Sequence, residues 1–99
     1  MLIKIHKSLR MCVAVCDKEL IDKKFEDSEK QLDLTGTFFK GEEKTKQEAK
    51  DILLNAKAED STFNFVGERS TSLAKELGIA NEKGVIQIQD HVIAHSLFV

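Results

Sequence analysis

The stretch Phe63–Gly78, FNFVGERSTSLAKELG, sets the frame for the chain. Thr62–Val66 is a short apolar run rich in β-formers and reads as a strand. A lone glycine, Gly67, then meets a helical pattern in which Leu73, Ala74 and Leu77 form one stripe. Gly78 follows as a left-handed terminator. A strand that passes into a helix through one glycine is a turn of α/β or α+β proteins. It also leaves the first amides of the helix, those of Glu68, Arg69 and Ser70, without intrahelical partners. Two readings follow. Gly67 opens an anion site, with Arg69, Ser70 and Thr71 adding donors around the positive helix end. Or Gly67 is only a tight turn, and a carboxylate of the chain itself meets Arg69. No G-x-x-x-x-G-K-[ST] or G-x-G-x-x-G motif is present to favour the first. Arg69→Ala separates the two: an anion site loses about 1–3 kcal/mol of ligand binding, whereas a surface ion pair loses at most about 1 kcal/mol of stability.

Upstream, Leu2–His6 and Met11–Cys16 read as two strands joined by Lys7-Ser8-Leu9-Arg10, a loop length that favours antiparallel pairing. Cys12, Ala14 and Cys16 share one face of the second strand and Met11, Val13 and Val15 the other. Both faces are apolar, so this strand belongs in the middle of a sheet. The two cysteines lie roughly 13 Å apart along an extended strand at ~3.3 Å per residue. That is beyond the ~7 Å reach of a disulfide, so both read as buried, reduced thiols. Asp17 reads as the cap of a single helical turn that drops Leu20, Ile21 and Phe25 into the core. Glu26-Asp27-Ser28-Glu29 reads as a turn, and Lys30–Thr35 as a strand with Leu32 and Leu34 facing in. Thr45-Lys46-Gln47-Glu48 is a capping box. The helix it opens runs to about Ala58 and turns Ala49, Ile52, Leu53 and Ala56 inward. Gly84–Gln89 and Val92–Val99 close the chain as a hairpin.

The expected architecture is one α+β domain over residues 1–99, with two main helices on a mostly antiparallel sheet. Composition agrees: of 99 residues, 41% are hydrophobic and 32% charged, a globular balance. No apolar run approaches the ~20 residues of a membrane-spanning helix. The N-terminus has no signal-peptide h-region. The expectation is a soluble, cytoplasmic protein without a membrane partner. The net charge of −2 argues against a strong non-specific grip on nucleic acid. Its distribution is uneven, because residues 1–16 carry Lys4, Lys7 and Arg10 and no acid, which leaves −5 on the remainder. The first hairpin is therefore a small basic patch.

Chemistry-bearing residues are few. His95 lies on the last strand in a row with Ile93, Leu97 and Val99, as a structural histidine or an acid–base group. His91 and His6 join it only if the sheet order brings them together. No spacing supports a metal site or a G-x-S-x-G nucleophile elbow, so neither cofactor, metal nor catalytic residue is expected. Phe38-Phe39-Lys40-Gly41 pairs two rings with a lysine and is a possible protein-partner loop, although at least one ring belongs in the core.

The order AVCDKELIDKKF (Ala14–Phe25), FFKGE (Phe38–Glu42), NFVGERSTSLAKELG (Asn64–Gly78), VIQI (Val85–Ile88) and a late His95 before a small residue resembles an archaeal family of unknown function, number 424 in the domain-of-unknown-function series. The resemblance spans nearly the whole chain, and N-x-V-G-E-R opening a helix is its most specific piece. Where that family usually shows L-L-G-K, this chain has Leu20-Ile21-Asp22-Lys23. Ala94 stands where a proline usually precedes the histidine. The resemblance implies an archaeal cytoplasmic protein and no particular reaction. Together with the basic segment and the Gly67 helix end, it leads to the expectation of a non-enzymatic binding module with an RNA or ribonucleoprotein partner, linked to translation. The alternative is a protein or enzyme that holds a phosphorylated ligand at Gly67–Thr71 with His95 as acid–base group.

Overall fold

The computed structural model describes residues 1–7, 9–27, 30–80, 85–88 and 91–96. Side chains are described up to residue 80, apart from those of Asp27 and Lys30. The elements run β1 (Leu2–His6), β2 (Cys12–Cys16), a 3-10 turn (Lys18–Leu20), β3 (Lys24–Asp27), β4 (Lys30–Asp33), β5 (Glu42–Glu43), α1 (Lys46–Ala58), β6 (Thr62–Val66), α2 (Glu68–Glu76), β7 (Val85–Ile88) and β8 (His91–Ser96).

Among the described residues, six strands form one sheet in the order β5-β1-β2-β6-β8-β7, and β3-β4 make a separate two-stranded ribbon. The β1–β2 hairpin is antiparallel with Leu2 opposite Cys16 and His6 opposite Cys12. β2 then pairs parallel with β6, which puts Cys16 beside Val66. The pairings β1–β5, β6–β8 and β7–β8 are antiparallel. The expected α+β fold with a mostly antiparallel sheet is the one observed. β2 is interior, as its two apolar faces require.

One face of the sheet carries Ile3, Val13, Val15, Phe63 and Phe65. The helices bury Ala49, Leu53, Ala56, Leu73 and Ala74 against them. The Thr45 capping box forms: its hydroxyl accepts from the Glu48 amide at 3.2 Å, and its own amide donates to Glu48 Oε1 at 2.9 Å. The opposite face is covered at its Cys16–Val66 end by Leu20, Leu34, Ile21, Phe25, Leu32 and Phe39.

One expectation changes. Glu26 and Asp27 lie in strand β3 rather than in a turn, because Lys24 pairs with Asp33 and Asp27 with Lys30. The segment offers a single apolar residue, Phe25, too little alternation to read as a strand. Asp22, where the resembling family has glycine, still adopts the left-handed conformation at φ 66°. Aspartate tolerates that region better than most residues, and Lys40 holds its carboxylate at 2.7 Å.

Both cysteines are free, Cys16 buried and Cys12 half-buried. Burial pushes the Cys16 thiol up to about 12, and the nearby Asp17 and Glu19 charges add to the shift. A raised thiol pKa means that folding favours the neutral form. That contribution is complete below the ordinary value of 9.0 and is lost as pH rises towards 12. In the native protein Cys12 should therefore react with a disulfide reagent while Cys16 waits for unfolding. The wild type should also lose stability relative to Cys16→Ala as pH rises above about 9. Equal reactivity of both thiols in the folded state would contradict this.

Candidate functional site

The parallel pairing of β2 with β6 sets their two exits side by side. The ladder continues one step past the strands, with the Asp17 amide donating to the Val66 carbonyl at 2.9 Å. Asp17 is extended, with φ −62° and ψ 131°, and makes no side-chain bond to the 3-10 turn that follows it. Its carboxylate reaches across to α2 instead. Oδ2 accepts from the Arg69 amide at 3.0 Å, and Oδ1 accepts from the Ser70 amide at 2.8 Å and from the Ser70 hydroxyl at 2.7 Å. The sequence reading of Asp17 as a local cap is thus corrected: it is a helix cap, but for a helix over fifty residues away.

Gly67 has φ 107°, and a Cβ there would run into the Asp17 carboxyl group. Glycine is required on both counts, by the backbone region and by the close approach. Asp17 and Ser70 are 3% and 0% exposed. The amides of Arg69 and Ser70 that an incoming anion would use therefore already meet a carboxylate of the chain. Arg69 pairs with Glu19 at 3.2 Å on the surface. Thr71 is buried, its amide donating to the Gly67 carbonyl at 3.0 Å. Beside this helix end lies a cavity of about 510 Å³ bordered by Lys44, Lys46, Arg69, Glu68 and Glu76. Its three cations are each ion-paired, to Glu42, Glu76 and Glu19.

The basic hairpin divides. Arg10 lies against Asp60, its Nε donating to the carbonyl at 3.0 Å and its Nη2 pairing with the carboxylate at 3.1 Å. Lys7 is exposed and Lys4 half-buried. Neither has an ion pair among the described residues. By register Lys4 opposes Ala14, Ala14 opposes Asn64, and Asn64 opposes His95. The side chain of His95 lies outside the described residues. Asn64 Nδ2 points to Cys12 Sγ at 3.6 Å.

His6 and Phe38 form a contact that sequence reasoning did not pair. Their rings stack with centroids 4.5 Å apart and planes 12° from parallel. The His6 Nε2 lies 2.9 Å from the Phe38 carbonyl oxygen. Phe39 meets Phe38 edge-on at 5.0 Å and turns inward onto the Cys16–Val66 cluster. Phe38 stays 42% exposed. The FFKG segment thus splits, one ring to the core and one to solvent. Thirty-two residues separate His6 from Phe38, and no local pattern joins them. Among the described residues no group of three or more His, Cys, Asp or Glu is placed to hold a metal ion. No helix of the described residues is long and apolar enough to cross a membrane.

Residues 5–95 match the model of the DUF424 family, a protein of unknown function, and the chain belongs to that family. A crystal structure of an uncharacterized conserved protein from Methanopyrus kandleri is similar, with a TM-score of 0.81 and 21% identity, over 95% of this chain and 87% of that one. At that identity the likeness speaks for the fold alone. No curated protein matches the chain.

Removing the cap should be costly. Asp17→Ala should destabilise the fold by about 2–4 kcal/mol, since three bonds to a buried charged acceptor are lost. Asp17→Asn should cost less. Chemical denaturation with an unchanged slope checks both, and an Asp17→Ala change within about 0.5 kcal/mol of wild type would contradict the cap.

Proposed function

We propose that this DUF424 chain is a small non-enzymatic binding module that takes single-stranded RNA, free or displayed by a ribonucleoprotein. One observation carries the reading: an exposed ring, Phe38, stacked on His6 at the end of a strand whose flanking charges are all positive. An aromatic face beside cations is the elementary platform for an unpaired base and its phosphate. Lys4 on β1 and Lys7 just beyond its end flank His6, and Lys40 follows Phe38 by two residues. Lys40 is tied to Asp22 on the surface, an exposed pair that exchanges easily for a phosphate.

The charge is modest, so the affinity should be modest too. Two or three phosphate contacts give a slope of log K against log salt of about −2 for a single strand. The His6 stack holds the Phe38 ring in place before a base arrives, which lowers the ordering cost of binding.

Anisotropy titration of a short single-stranded oligonucleotide at low salt tests this. Phe38→Ala should weaken binding by ~1–3 kcal/mol, the worth of one stacked base, and leave the salt slope unchanged. Lys7→Ala should lower that slope by about 0.7. No binding at low salt, or full affinity in Phe38→Ala, would refute the proposal.

A further inference from the structure

Strand β1 has an unfinished edge. β5 pairs only with Leu2 and Ile3. The Lys44 amide donates to the Met1 carbonyl at 2.7 Å, which fixes the phase of that edge. In an antiparallel ladder every second residue turns its N–H and C=O to the same neighbour. Met1 and Ile3 therefore address β5, and Ile5 is the next in the series. The chain does not follow. Gly41 lies so close to the Ile3 carbonyl that a Cβ would overlap it, and the Gly41 amide bonds to the Phe39 carbonyl at 2.9 Å as the backbone turns away. Among the described residues no strand lies beside Ile5 on that edge.

A groove runs along the same edge, between β1 and α1. Cavities of about 620 and 300 Å³ adjoin one another there, sharing Ile5 and Ile52, and a third of about 640 Å³ continues past the end of β1 beside Leu9, Arg10 and Asp60, sharing Lys7, Met11 and Glu59 with the second. Ile5 is 42% exposed, and Met11 and Ile52 are half-buried. An apolar wall beside an unpaired strand edge is the geometry of strand addition.

The charge decides the occupant. Lys4 and Lys7 bracket Ile5 in a segment with no acid, and of the carboxylates that line the cavities Glu42 and Asp60 are ion-paired to Lys44 and Arg10, which leaves Glu59 at the far end. A second copy of the chain pairing β1 with β1 would set this cationic segment against itself, and like charges across a strand pair repel. An acidic strand meets opposite charge.

We propose that the open edge of β1 binds an extended acidic segment of a partner protein as an added strand. Its backbone bonds to Ile5, its apolar side chains enter the groove against Ile5 and Ile52, its carboxylates lie on the other face of the sheet beside Lys4, and Lys7 adds positive charge at the end of the groove. This goes beyond the RNA reading, since it uses the strand edge and the helix side of β1 rather than the Phe38 ring.

The test is amide NMR on the full chain with a short synthetic peptide of alternating glutamate and valine. Shifts should centre on residues 4–7 and on α1 near Ile52, and exchange of the Ile5 amide should slow. N-methylating alternate peptide bonds, in each of the two phases, should weaken binding at least about tenfold in one phase only. Replacing glutamate by lysine in the peptide, or Lys4 and Lys7 by glutamate in the protein, should each weaken it by a similar factor. Phe38→Ala should bind the peptide as wild type does, which separates this outcome from failure of the RNA proposal. Absence of binding, equal binding of all the peptides, or slowed Ile5 exchange from self-association or from an oligonucleotide would overturn the inference.

Discussion

The carboxylate of Asp17 ties the end of β2 to the start of α2, and much of the molecule is arranged around that tie. A helix begins with amides that need acceptors, and a buried carboxylate needs donors. Here each supplies the other: Arg69, Ser70 and the Ser70 hydroxyl surround a group that is 3% exposed. The parallel register of Cys16 with Val66 brings them within reach. Gly67 supplies the turn and the room. From there α2 can only lie back across the sheet, where Leu73 and Ala74 meet the core.

The same tie bears on function. Where a strand passes into a helix, many proteins hold a phosphate on the free amides. In this chain that position is filled from within, and Arg69 shares its charge with Glu19. The binding surfaces proposed above lie elsewhere, around β1. One side of that strand presents His6 and Phe38, and its edge presents Ile5 above the groove with α1. Arg10, the third cation of the hairpin, is committed to Asp60 and belongs to the scaffold.

Much of the scaffold was legible because its signals are local. The Thr45–Glu48 capping box, the Gly67 entry and the Gly78 exit each act within a few residues. The face of α1 follows from periodicity, and β2 declared itself interior by being apolar on both sides. What was not legible is what depends on distance in sequence. Asp17 has the chemistry of a cap, but its own neighbourhood offered a nearer helical turn, and nothing local points to α2. The His6–Phe38 stack is hidden for the same reason. β5 is two residues long, too short for any period, and β3 carries a single apolar residue. Asp22 shows the converse: a residue other than glycine holds a left-handed turn because aspartate tolerates it and Lys40 steadies it.

If the Asp17–Ser70 contact joins strand to helix as one unit, the two side chains must be energetically coupled. A double-mutant cycle with Asp17→Ala and Ser70→Ala, read by chemical denaturation, measures that directly. A coupling energy of at least about 1 kcal/mol is expected, because each single change already breaks the shared bond. Effects that add to within about 0.3 kcal/mol would contradict it and leave Asp17 as a carboxylate merely near a helix end.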